Sequence, residues 1–107
     1  MRDSLLAAAD LMAGTDKVQA KAAMLRMAQT IHTVCRPGGS KTIRADYLKE
    51  LLDILGGKRP RHVRAHATRL VGYIGSKTDD KALARFAADP ELKADIQMAR
   101  ERLRRGG

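Results

Sequence analysis

Five cations fall within twelve residues in the middle of the chain: Lys58, Arg59, Arg61, Arg64 and Arg69. No Asp or Glu occurs from Ile54 through Thr78 to neutralise them. A guanidinium is a planar fork of N–H donors that fits the paired oxygens of a carboxylate or phosphate, so the chemistry on offer is anion recognition. Lys17, Lys21 and Arg26 form a second, looser group. Two ligand classes suit such a surface. One is an acidic protein; the other is nucleic acid held by its phosphates without discrimination among bases.

His32, Cys35, His62 and His66 carry spacings seen in metal sites, His-x-x-Cys and His-x-x-x-His. A zinc site needs four ligands converging at about 2 Å. His32 falls late in its helix and His62 early in its own, so parallel helices would hold the two pairs at opposite ends. No metal site is expected. His62 and His66 are expected instead to add to the basic face, more so as pH falls. Arg36 beside Cys35 would favour a thiolate, but a small buried residue at a helix end suits the position better. No nucleophile–base set can be located, Gly38-Gly39 lacks the rest of a phosphate loop, and Asp79-Asp80 reads as a helix start. Neither catalysis nor a cofactor is expected.

The elements that must position these residues are helices of one domain, 1–107. Apolar residues make up 44% of the chain, yet Tyr47, Tyr73 and Phe86 are its only aromatics. The core is therefore Leu, Ile, Val, Ala and Met, with Met12, Met24, Met27 and Met98 as filler. No apolar run approaches the ~20 residues that cross a bilayer. The start resembles a weak leader, but Asp10 interrupts it and the stretch reads as a helix. A lone cysteine excludes an internal disulfide and suits a reducing cytoplasm. The net charge of +9 is concentrated between Lys17 and Thr78, where thirteen Lys/Arg face three acids.

Six helices follow from spacing and punctuation. The first starts at Asp3 or Ser4 and stops at Gly14, with Leu5, Leu6, Ala9 and Met12 inward. Thr15 or Asp16 caps the second, which runs to Val34 with Val18, Ala22, Leu25, Ala28 and Ile31 inward. Arg36-Pro37-Gly38-Gly39-Ser40-Lys41 is the main break. A third helix, Ile43 to Leu55, turns Tyr47, Leu48, Leu51, Leu52 and Leu55 inward and ends at Gly56-Gly57. The fourth is bounded by Pro60 and Gly75; it buries Val63, Ala67, Leu70, Val71 and Ile74 and carries Arg61, Arg64 and Arg69 on its other face. A short fifth covers Asp79 to Ala88, with Leu83, Phe86 and Ala87 apolar. Asp89 caps the sixth, Glu91 to Arg104, with Leu92, Ile96, Ala99 and Leu103 inward.

These helices fall into three pairs, a shorter member followed by a longer one. Pro60, Val63-Arg64, Ala67, Leu70 and Ile74-Gly75 resemble the second-helix pattern of the HEAT-like repeats, including the phycobilisome-lyase type. Asp89-Pro90, Leu92-Lys93, Ala99 and Leu103 resemble it less closely, and Asp16, Val18, Ala22, Leu25 and Ile31 only loosely. The resemblance implies an all-α fold of three stacked antiparallel hairpins, a short α-solenoid. It also implies that second helices line a concave, ligand-facing side and that the work is that of a scaffold for protein partners. A helix-turn-helix over 43–55 and 60–75 is the nucleic-acid version. Its reading helix has no Asn or Gln for adenine, which points to weak base specificity.

Overall fold

The computed structural model describes residues 5–35 and 39–106, with the backbone alone at Val34 and Gly106. Six α-helices make up most of it: α1 (Leu5–Met12), α2 (Lys17–Val34), α3 (Lys41–Gly56), α4 (Arg61–Ile74), α5 (Asp80–Ala84) and α6 (Lys93–Gly106). A single 3-10 turn, Lys77–Asp79, leads into α5, and no strand occurs among the described residues. The first cap expected at Asp3 or Ser4, and the Arg36-Pro37-Gly38 part of the main break, lie outside the described residues.

Local chemistry sets the boundaries. Asp16 caps α2 by accepting the backbone N–H groups of Val18 and Gln19 at 3.0 and 3.1 Å. Ser40 caps α3 through Ile43 N–H, so that helix starts at Lys41, two residues before the expected start. The fifth helix is shorter than its apolar spacing suggests. Ser76 and Asp79 close a capping box, and after Ala84 the chain turns through 85–92. Asp89 accepts Glu91 N–H at 3.0 Å inside that turn, and regular helix resumes only at Lys93.

Packing is hairpin-like, with α1 against α2, α3 against α4, and α5 against α6. The longer members also meet: α4 touches α2 on one side and α6 on the other, while α1 touches α3. The result is a slab of 37 × 34 × 17 Å. Within it α4 is covered on three sides. Its expected stripe is buried, and so is a second row of small residues, Ala65, Thr68 and Gly72. Gly72 allows the closest approach. A Cβ built there would stand 3.0 Å from Ala99 Cα and 3.1 Å from Ala99 Cβ, so α4 and α6 meet nearly backbone to backbone.

The second helix is rotated relative to expectation. Its buried row is Ala23, Met27 and Ile31, with Cys35 beyond, whereas Val18 is 81% exposed, Leu25 is 51% exposed and Ala22 is also in solvent. Alanine and methionine surround α2, so the spacing 18–22–25 and the spacing 23–27–31 are equally helical. The contacts with α1 and α4 choose the second. Met12 and Met27 fill the core as expected and Met24 is half-buried, but Met98 is 67% exposed.

Candidate interaction surface

The turn from α3 into α4 spends most of its cations on neighbouring acids. Arg59 Nε donates to Asp10 Oδ1 at 3.0 Å, tying the turn to α1. Arg61 Nε donates to the Glu91 carbonyl at 2.9 Å, and its Nη2 stands 3.5 Å from Asp95 on α6. Arg64, whose side chain is only 14% exposed, is a three-way clamp. Its Nε donates to the Leu55 carbonyl at the end of α3 (2.8 Å), its Nη2 to Asp89 (2.7 Å), and its Nη1 lies 3.7 Å from Glu91. The Arg64 hydrogen bond holds the Asp89 carboxyl below the usual carboxylate range.

Arg61, Arg64 and Arg69 therefore do not share one open face. Arg64 is turned into the seam between α3, α4 and the 89–91 turn, Arg61 is exposed but paired along the seam with α6, and Arg69 extends into solvent. Lys17, Lys21, Arg26 and Lys58 are exposed as well. Among the described residues, no carboxylate lies within ion-pairing distance of Lys17, Lys21, Lys58 or Arg69. Arg26 stands apart from α4, lining the groove between α1 and α2.

Of the two histidines of α4, expected on the basic face, His62 is exposed and His66 is not. His62 Nε2 donates to the Met12 carbonyl at 2.9 Å and so caps the end of α1. His66 is buried between α4 and α2, and its Nε2 has no hydrogen-bond partner. Burial first, then the Arg69 charge, lowers its pKa, against a smaller opposing effect of the Met24 backbone. His32, far from His62, makes an edge contact with Tyr73 at 4.5 Å between ring centroids. Met24 facing His66 and His32 facing Tyr73 show that α2 and α4 run in the same direction. No group of three His, Cys, Asp or Glu converges among the described residues. Cys35 is buried, which pushes its thiol up, with the nearby Arg44 charge opposing. Arg44 Nη2 donates to the Cys35 carbonyl at 2.6 Å, tying the start of α3 to the end of α2.

Two features were missed from the sequence. Arg102 of α6 stacks over Tyr73 at 5.4 Å, so His32, Tyr73 and Arg102 run as a row across α2, α4 and α6. Of the five large apolar side chains left in solvent among the described residues, four, Val18, Leu25, Tyr73 and Met98, also lie on these three helices. The charge follows the same division. α2, α4 and α6 together carry eleven Lys/Arg against two acids, a net charge of +9. α1, α3, the 3-10 turn and α5 carry five against six, a net charge of −1. Both acids of α6 are already engaged, Asp95 with Arg61 and Glu101 with Arg105. No helix of the described residues is long and apolar enough to cross a membrane. Compared with models of protein families, with curated proteins and with solved structures, the chain matches none of them.

Proposed function

We propose that this chain is a non-catalytic interaction module, a short HEAT-like stack of three antiparallel hairpins that binds an acidic protein partner across α2, α4 and α6. The observation that carries the reading is the division of charge, +9 on those three helices and −1 on the others. A field so arranged orients an acidic partner and speeds its encounter. Lys17, Lys21, Arg69 and Arg102 are the contacts that remain open, because Arg59, Arg61 and Arg64 already serve neighbouring hairpins. Tyr73 holds Arg102 by cation–π stacking and leaves its outer N–H edge for a carboxylate. In a HEAT-like stack this is the concave, ligand-facing side.

A second reading, sequence-neutral binding of nucleic-acid phosphates, draws on one specific observation: α2 and α4 contain no carboxylate at all. Its helix-turn-helix version does not suit the packing, since α4 is flanked by α2 and α6 and cannot enter a major groove.

Fluorescence anisotropy separates the two. A labelled glutamate-rich peptide and a labelled single-stranded oligonucleotide are titrated with the protein from low to moderate salt. The acidic-partner reading expects peptide binding that weakens with salt and is reduced by Lys21→Ala, Arg69→Ala and Arg102→Ala. Oligonucleotide binding that is tighter, with a steep salt slope flattened by the same variants, would transfer the surface to nucleic acid. Binding of neither would end both readings.

A further inference from the structure

The outer side of the α1–α2 hairpin is unlike a surface that faces water. Here Val18 is 81% exposed, Leu25 51% and Leu11 48%, with Ala7 and Ala22 in solvent between them. A groove of about 350 Å³ runs between the two helices, floored by Leu5, Ala8, Ala23 and Met27. A shallower apolar depression beside it is formed by Val18, Ala22 and Leu25 and edged by Lys17 and Lys21. Ala22 belongs to both, so the apolar strip is continuous.

We infer that this strip seats one amphipathic helix of a partner, apolar on the side it buries and acidic on its flanks. The inference rests on the acidic-partner reading above and names the form that the partner takes. Val18 and Leu25 are seven residues apart on α2, about 10 Å along its axis, the spacing of two turns. A helix docking lengthwise offers apolar residues at i, i+3, i+4 and i+7 to such a strip. Its charge is set by what rims the strip. α2 contains no carboxylate, and Lys17 and Lys21 stand one turn apart at the edge. Among the described residues three acids lie near, each engaged: Asp16 caps α2, Asp10 pairs with Arg59, and Glu50 accepts the Leu5 backbone N–H at 3.0 Å. A second copy of this chain is a poor occupant, since it would set one +9 chain against another.

The test uses two labelled peptides of equal net negative charge: a helical one of roughly sixteen residues with Leu along one face and Glu flanking it, and a Glu/Ser/Gly peptide with no apolar residue. Val18→Ser and Leu25→Ser leave the charge unchanged and alter only exposed positions, and thermal melts confirm that both variants fold. The inference expects the amphipathic peptide to bind at least tenfold tighter than the other, and each substitution to remove most of that advantage. Backbone NMR shifts on titration should centre on Ala7, Leu11, Ala22 and Leu25. Equal binding of both peptides, indifferent to Val18→Ser and Leu25→Ser, would overturn the groove while leaving the acidic-partner reading intact. Binding of neither peptide would remove both. Sedimentation showing a dimer that Leu25→Ser dissociates would assign the strip to self-association and overturn the inference.

Discussion

Gly72 offers the sharpest test of how the layer of α2, α4 and α6 is assembled, because the packing argument there opposes helix propensity. Alanine is ordinarily worth about 1 kcal/mol more than glycine inside a helix. At position 72 the added methyl would stand 3.0 Å from Ala99 Cα and 3.1 Å from Ala99 Cβ, against the roughly 3.5–4.0 Å of a relaxed carbon contact. The obstacle is the backbone of α6, so no rotamer change relieves it. The helices must separate by about half an ångström or more, which strains the Arg61–Asp95 and Tyr73–Arg102 contacts along the same seam. Overpacking of this kind costs about 1–3 kcal/mol. Set against the propensity gain, Gly72→Ala should destabilise the fold by about 1 kcal/mol, a drop of roughly 4–8 °C in Tm. Ala99→Gly removes one of the two clashing atoms, at a propensity cost of its own. The double variant should then be more stable than the sum of the singles by about 1 kcal/mol. Urea denaturation followed by far-UV circular dichroism measures all four proteins. A Gly72→Ala variant more stable than the parent, with no coupling to Ala99, would refute the close α4–α6 contact and with it the row His32–Tyr73–Arg102.

Two further outcomes follow from the same seams. His66 titrates below its ordinary value near 6.5, so over the window beneath that pH the unfolded chain binds more protons than the folded one. Stability should therefore fall as pH drops from about 6.5 through the lowered value, and His66→Leu should flatten that part of a Tm-against-pH curve; an unchanged slope would refute the assignment. Asp89 and Asp80, both held low by arginine partners, keep their stabilising contribution at such pH values and lose it only below about 3.8. Arg64 and Arg69 should separate cleanly in paired assays. Arg64→Ala should lower Tm and, at temperatures where the variant is folded, weaken binding of a glutamate-rich peptide only through its share of the field. Arg69→Ala should leave Tm nearly unchanged and weaken that binding further, through the lost contact as well as the field; the opposite pattern would invert the roles of clamp and open contact.

How much of this was legible in the sequence depended on how many faces each helix buries. α4 was found because Pro60 and Gly75 bound it and Val63, Ala67, Leu70, Val71 and Ile74 make one stripe, all buried. Its second buried row was overlooked, although Ala65, Thr68 and Gly72 signal it: small residues at helical spacing mark a close neighbour as surely as large ones mark a core. For α2 the sequence was ambiguous. Ten apolar residues surround that helix, and only the placement of α1 and α4 decides that Ala23, Met27 and Ile31 go inward while Val18 and Leu25 stay out. Met98 was misplaced because a methionine near a helical stripe reads as core, whereas it lies on the outer side of α6.

The cationic cluster was misread in one respect for a reason of scale. A count along the chain from Ile54 to Thr78 finds no acid, yet the acids that meet Arg59, Arg61 and Arg64 come from Asp10, Asp89, Glu91 and Asp95, some twenty-five to fifty residues away. Local charge patterning cannot register such pairs. Pairing of this kind neutralises contacts at short range and leaves the summed charge as it was, so the +9 of α2, α4 and α6 persists as a long-range field. Two tasks that the sequence merges into one cluster thus fall to different residues. Arg59 and Arg64 join hairpin to hairpin, with Arg61 along the α4–α6 seam, while Lys17, Lys21, Arg69 and Arg102 remain open to solvent. Removing an open cation subtracts a contact and part of the field, whereas removing a clamp subtracts the same field but loosens the layer. Variants of equal charge, Arg64→Gln and Arg69→Gln, should therefore change association rates alike at low salt and differ in dissociation rate and stability. Stopped-flow mixing with a labelled glutamate-rich peptide measures the rates. Association rates that differ as widely as the stabilities would show that contacts alone, and not the field of the layer, govern encounter.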